Sequence, residues 1–116
     1  MMNRYKRSDR VSQLIHRALS KIIENELREK PDGMITVTGV ELSNDLKYAR
    51  VYFSYLGNAD KIETIIDNLN NSAGYIRMRI GEEVILRNVP MLKFYYDSST
   101  LNGMRIDKLL EEINKK

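Results

Sequence analysis

The 116-residue sequence contains no cysteine and a single histidine, His16. Without cysteine there is no disulfide framework, no thiolate nucleophile and no cysteine-based zinc site. No apolar run reaches the roughly 20 residues that span a bilayer. The polar, basic start around Arg4, Lys6 and Arg7 lacks an apolar signal core, so the expectation is a cytoplasmic chain with no membrane association. Patterns that carry chemistry are missing as well: no activated base, nucleophile or phosphate-cradling loop stands at recognisable spacing. Glu82-Glu83 and Glu111-Glu112 are neighbours on helical segments, so each pair diverges by about 100° and cannot converge on one substrate. His16 falls beside the apolar stripe of its helix, as a boundary or surface residue. Asp45, in Ser43-Asn44-Asp45, reads as a turn-former rather than a metal ligand. The chain is therefore expected not to be an enzyme and to need no metal, cofactor or small-molecule substrate.

What is present is the balance of a globular protein, 42% hydrophobic and 30% charged. The length suffices for one core and not for two, which gives a single domain over residues 1–116, monomeric by default. The net charge of +3 is modest but unevenly placed. Residues 1–30 hold eight Lys and Arg against four Asp and Glu, whereas residues 31–71 hold three against six. A basic amino-terminal segment beside an acidic middle suits one face turned toward a polyanion.

Hydrophobic periodicity gives the elements. Val11, Leu14, Ile15, Ala18, Leu19, Ile22 and Ile23 recur at helical spacing, with Ser8 or Asp9 as the cap. Residues 1–8 ahead of them read as a flexible basic arm. Pro31-Asp32-Gly33 ends the helical stretch. A strand begins near Met34, and its alternation changes phase at Gly39, which predicts a bulge there. A second, antiparallel strand runs from Tyr48 to Tyr55 and ends at Gly57-Asn58. Asp60 with Glu63 forms a capping pair for a helix carrying Ile62, Ile65, Ile66 and Leu69 to about Asn71. After the small, polar break Ser72-Ala73-Gly74, Ile76, Ile80 and Val84 predict a third helix, joined by a kink and broken at Val89-Pro90. Leu92, Phe94 and Tyr96 mark a third strand. Ile106, Leu109, Leu110 and Ile113 mark a helical extension over residues 100–116. The fold class is α+β: an antiparallel-rich three-stranded sheet covered by helices.

That order, with a polar break between two successive helices, resembles the type II KH domain. Specific strings sharpen it: Arg10-Val11, Val40-Glu41-Leu42-Ser43-Asn44-Asp45-Leu46, Ala49-Arg50-Val51-Tyr52, Gly74-Tyr75-Ile76-Arg77, and Leu86-Arg87-Asn88-Val89-Pro90 through Phe94 and Asp97. Together, across residues 4–113, they resemble the ribosome-binding factor A family. The resemblance implies a factor that binds free or immature small ribosomal subunits and acts late in their maturation, near the helix at the 5′ end of the small-subunit ribosomal RNA. It also implies departure before translation and a part in growth in the cold. The Gly-x-x-Gly loop with which KH domains clamp single strands is absent. In this family an Ala-x-Gly kink replaces it, and Ser72-Ala73-Gly74 corresponds here, with Ser72 departing from the pattern.

For RNA contact the candidates are Arg4, Lys6, Arg7 and Arg10 at the first helix, Arg77 and Arg79 after the kink, and Arg87 and Lys93 beyond them, with Lys47 and Arg50 weaker. Arg77 has a second reading, in which it pairs with a nearby carboxylate and holds the kink. Among the tyrosines, alternation puts Tyr55 and Tyr96 with the buried set and Tyr52 or Tyr95 on the opposite face, while Tyr48, Tyr52, Tyr55, Tyr75, Tyr95 and Tyr96 all invite base stacking. Two other functions are carried alongside: a general single-stranded RNA module and a protein-interaction adaptor.

Overall fold

The computed structural model describes residues 7–26 and 33–97. Arg4, Lys6, the Pro31-Asp32 pair and the predicted helix over 100–116 lie outside them. Helix α1 spans Arg7–Glu26, strand β1 Gly33–Leu42 and strand β2 Tyr48–Gly57. A single 3-10 turn, Ala59–Lys61, leads into α2, Ile62–Asn71, followed by α3, Ala73–Glu83, and strand β3, Met91–Tyr96. The helix, strand, strand, helix, kink, helix, strand order is the one the periodicities predict.

The sheet has the order β1-β2-β3. β1 and β2 pair antiparallel, and the register jumps from Val37 opposite Phe53 to Gly39 opposite Tyr52. Thr38 is the extra residue, so the bulge forms where the phase of the sequence changes. β3 pairs parallel to β2, with Phe94 opposite Val51. The sheet is therefore mixed rather than antiparallel-rich, because the crossover through α2 and α3 returns the chain in the direction of β2.

One face of the sheet carries the core. Val51 and Phe53 of β2 and Phe94 of β3 are buried against Ile15, Leu19 and Ile22 of α1, Leu69 of α2, and Ile76 and Ile80 of α3. Each helix presents its apolar stripe to the sheet, as its spacing requires. Leu14 leaves that stripe and remains 38% exposed.

Three local expectations are corrected. Ser8 and Asp9 lie inside α1 rather than ahead of it. Asp60 and Glu63 do not form the cap of α2; the Asn58 side chain accepts from the Asp60 N–H at 2.9 Å and starts the 3-10 turn. An asparagine two residues upstream offers its carbonyl to that amide first. Helix α3 ends at Glu83, short of Val89-Pro90, because Val84 turns extended at φ −133° and ψ 152° while its N–H still bonds Ile80. The released segment lets Leu86 and Val89 pack back on the core.

The break between α2 and α3 is a single residue, Ser72, at φ −94° and ψ 5°. Asn70, poor in helix propensity, is nonetheless inside α2. Its Oδ1 accepts from the Phe94 N–H at 2.9 Å, and its Nδ2 donates to the carbonyls of Phe94 at 3.3 Å and Ile66 at 3.2 Å. The side-chain amide thus fills the place of a missing strand neighbour and covers part of the open edge of β3.

Candidate nucleic-acid interface

The β1–β2 turn is built by its own side chains. Ser43 Oγ donates to Asp45 Oδ1 at 2.7 Å and accepts from the Tyr48 N–H at 3.0 Å, and the Lys47 N–H donates to Asp45 at 3.1 Å. The Ser43 hydroxyl, and then the Lys47 amide, hold the Asp45 carboxyl below its ordinary range. Asp45 is thus a turn-former. Leu46 completes the corner at φ 60°, a left-handed conformation that costs a branched residue about 1–2 kcal/mol.

This turn meets the first turns of α1 and the segment between α3 and β3 around an open groove of about 810 Å³. Its apolar surface includes Leu14, Tyr48, Ile85 and Met91, and its cations are Arg10, Lys47, Arg77 and Arg87. Each cation comes from a different stretch of chain: α1, the β1–β2 turn, α3 and the α3–β3 segment. Asp45 is the one carboxylate among the lining residues. The Arg77 Nε donates to the Val89 carbonyl at 2.9 Å, so Arg77 is pinned to a backbone oxygen rather than to a carboxylate. A guanidinium has five N–H donors, and this bond uses one. A smaller depression of about 370 Å³ adjoins, lined by Gly74, Arg77, Gly81 and Arg87 among others. A Cβ placed on Gly74 would meet nothing within 4 Å.

Three of the arginines chosen from the sequence, Arg10, Arg77 and Arg87, are therefore gathered at one place. Lys47, the weaker choice, joins them. Arg4 and Lys6 lie outside the described residues, and Arg7 opens α1. Lys93 is elsewhere, on the sheet face away from the core, with its Nζ 6.0 Å from the Tyr95 ring centroid. Tyr52 and Tyr95 stack on that same face at 5.6 Å between centroids. Burial first, and then the charge of Glu41, push the Tyr52 hydroxyl far above the ordinary phenol range. Arg50 and Tyr52 both donate to Glu41, at 3.4 and 3.2 Å.

Arg79 has a different setting. It reaches Glu26 of α1 at 2.6 Å, Glu82 at 2.9 Å and Glu83 at 3.6 Å. The Tyr75 hydroxyl donates to the other Glu26 oxygen at 2.6 Å. The hydrogen bonds from Arg79 and then Tyr75 lower the Glu26 pKa, and the same Glu26 contact raises that of Tyr75. His16, half-buried as a boundary residue, donates from Nε2 to the Val37 carbonyl at 3.1 Å, tying α1 to β1.

Leu14 and Ile85 were not legible as site residues. Leu14 keeps helical spacing with the core, and Ile85 belongs to no periodicity. An isoleucine just past a helix end, ahead of Leu86-Arg87, is the one signal it leaves.

An α-β-β-α-α-β chain with a mixed sheet, a helix–helix kink in place of a glycine loop, and a cation-rimmed groove is a KH-like domain. The family model for ribosome-binding factor A matches residues 7–110, and the chain belongs to that family. It is 39% identical over 109 residues to ribosome-binding factor A of Geobacter metallireducens, covering 94% of this chain and 92% of the relative. The fold is that of the crystal structure of ribosome-binding factor A from Thermus thermophilus, with a TM-score of 0.66 and 24% identity over 79% of this chain and 97% of that one. A homology model of the Thermus thermophilus factor, fitted into the cryo-EM map of a 30S complex, matches with a TM-score of 0.64 and 22% identity, over 76% and 92%. Among the described residues no helix is long and apolar enough to cross a membrane.

Proposed function

We propose that this protein binds the free or immature small ribosomal subunit in the cytoplasm and assists late maturation of its ribosomal RNA near the 5′ end. It acts as a monomer, without cofactor, small-molecule substrate or chemistry of its own. Family membership supports the partner, as does the 30S complex into whose map the Thermus thermophilus factor was fitted. The observation that carries the reading to particular residues is the convergence of Arg10, Lys47, Arg77 and Arg87 on one groove. Cations drawn from four stretches of chain around a concavity suit folded RNA, whose phosphates approach from several directions. Arg4, Lys6 and Arg7 precede Arg10 and extend the same basic end of the chain, and of the kink residues Ser72, Ala73 and Gly74 the glycine lines the smaller depression beside the groove. Arg79 serves the α1–α3 junction, and Lys93 stands apart on the sheet face away from the core. A factor of this kind works by population shift: binding one arrangement of the RNA better than another favours that arrangement by the difference in affinity.

The test is sedimentation with isolated small subunits, large subunits and joined ribosomes across a salt series, for the wild type and for Arg10→Glu with Arg87→Glu. Selective binding to free small subunits, weakened by salt and more so in the double variant, is expected, because released counterions set the salt slope. Equal binding to all three particles would sink the reading. Substituting Arg79 would confuse the test, since charge reversal there sets a carboxylate among three others.

A further inference from the structure

Apolar side chains collected beside the cations remain unexplained by phosphate binding alone. Ile85 is 99% exposed, Tyr48 59%, Met91 54% and Leu14 38%. All four line the groove. Single exposed apolar residues are ordinary, but a contiguous set in a concavity ringed by charge marks an interaction site. The cation-to-carboxylate balance of the lining, four to one, selects a polyanion as the occupant. A duplex offers phosphates and 2′-hydroxyls on its outside and keeps its bases stacked within, so it would leave the apolar surface wet. An unpaired nucleotide offers both surfaces at once: a base face for the tyrosine and aliphatic groups, and flanking phosphates for the rim.

We propose that this groove captures an unstacked nucleotide of the small-subunit RNA, with its base on Tyr48, Leu14 and Met91, Ile85 as the wedge beside it, and its flanking phosphates on Arg10, Lys47, Arg77 and Arg87. The inference rests on the proposed binding of small subunits and adds the class of RNA element taken. It differs from KH recognition at a glycine loop: Ser72, Ala73 and Gly74 do not line this groove. The volume of about 810 Å³ accommodates a nucleotide with its neighbouring phosphates. The turn is preset for the task, since the Ser43 and Asp45 bonds fix the backbone that carries Lys47 and Tyr48 before any RNA arrives. An exposed isoleucine standing next to arginines is the arrangement by which apolar wedges unstack a base step. Capture of this kind gives the factor a means of favouring one RNA arrangement, because a base held in the groove is withdrawn from pairing.

The experiment uses the full chain and purified free small subunits, with Tyr48→Ala, Ile85→Ser and Tyr48→Phe variants, and measures the dissociation constant across a salt series. Tyr48→Ala and Ile85→Ser are each expected to weaken binding roughly tenfold while leaving the salt slope unchanged, because every cation remains. Tyr48→Phe should bind as the wild type does. Dimethyl sulfate probing should show one or two unpaired bases protected by the wild type and exposed again with Tyr48→Ala at saturating protein. These side chains are exposed, so wild-type melting curves are expected and exclude misfolding as the cause. Wild-type affinity and base protection in both apolar variants would overturn the inference while leaving small-subunit binding intact. Backbone protection from hydroxyl radicals with no base protected from dimethyl sulfate would also overturn it, pointing to a duplex, and variants that lose binding to RNA-free ribosomal proteins would reassign the groove to a protein partner. No binding of the wild type to small subunits would sink the underlying reading, a result distinct from all of these.

Discussion

Arg79 of α3 donates from both Nη2 and Nε to one oxygen of Glu26, at 2.6 and 2.7 Å, and ties the carboxyl-terminal turn of α1 to the middle of α3. Glu26 stands near the negative end of the α1 dipole, where a carboxylate is disfavoured unless a cation answers it. The sequence separation of 53 residues hides this partnership from any local pattern.

Replacing Arg79 with glutamate is accordingly expected to lower the thermal midpoint, and Arg79→Lys to recover only part of it, since an ammonium lacks the planar fork that reaches Glu26 and Glu82 together. Melting curves for Arg79→Glu, Glu26→Gln and the double variant would show coupling between the sites. Strictly additive effects would mean that the contact is idle.

The same junction predicts a pH dependence. The native Glu26 pKa lies below 4.5, so on acidification the unfolded chain takes up its proton first. Stability from this group is full above about pH 4.5 and declines as the pH falls through the lower native value. Glu26→Gln should show a shallower acid-side loss in urea titrations between pH 5 and pH 2. Tyr75 gives the opposite limb: its native pKa lies above 10, so its share of stability is lost as the pH rises beyond 10, and Tyr75→Phe should flatten that limb.

Asn70→Ala is expected to destabilise by about 2–3 kcal/mol, because the Phe94 N–H and C=O lose their partner at the edge of β3. Asn71→Ala, next along the same helix and exposed, should remain within about 0.5 kcal/mol of the wild type. Chemical denaturation midpoints would separate the two, and equal midpoints would remove the strand-covering role of Asn70.

The two glycines at Gly33 and Gly74 should respond in opposite senses to alanine. At Gly33 a Cβ would collide with the Leu56 carbonyl and the Tyr55 ring, costing about 2–3 kcal/mol through forced backbone movement. At Gly74 it meets open space inside a helix, so Gly74→Ala should add about 0.5–1 kcal/mol. Destabilisation by Gly74→Ala would show that the kink needs glycine for its backbone.

The elements were legible because burial is periodic. Val51 and Phe53 in β2, Ile76 and Ile80 in α3, and the phase change at Gly39 each announce local geometry through neighbours a few residues away. The cap of α2 and the end of α3 were misplaced because several residue types compete for one backbone amide, and because Val84 obeys the packing of the next segment rather than its own helix. Of the groove, the sequence offered Arg10 at the first helix and, apart from it, a surface of Arg77 and Arg79 extended by Arg87 and Lys93; it could not say that Arg10 meets Arg77 and Arg87 or that Arg79 and Lys93 stay away.

The sequence by itself determined the class of fold, the family and the positive charge of the amino-terminal segment, since all three are properties of residue order and composition. Tertiary structure alone decided that β3 runs parallel to β2, that Arg79 answers Glu26 while Arg77 stays at the groove, and that Tyr48 and Ile85 share one concavity with four cations. The physical reason is distance along the chain. Hydrophobic period acts over a helical turn or a strand pair, whereas an ion pair or a groove joins residues that only the closed core brings within reach of one another.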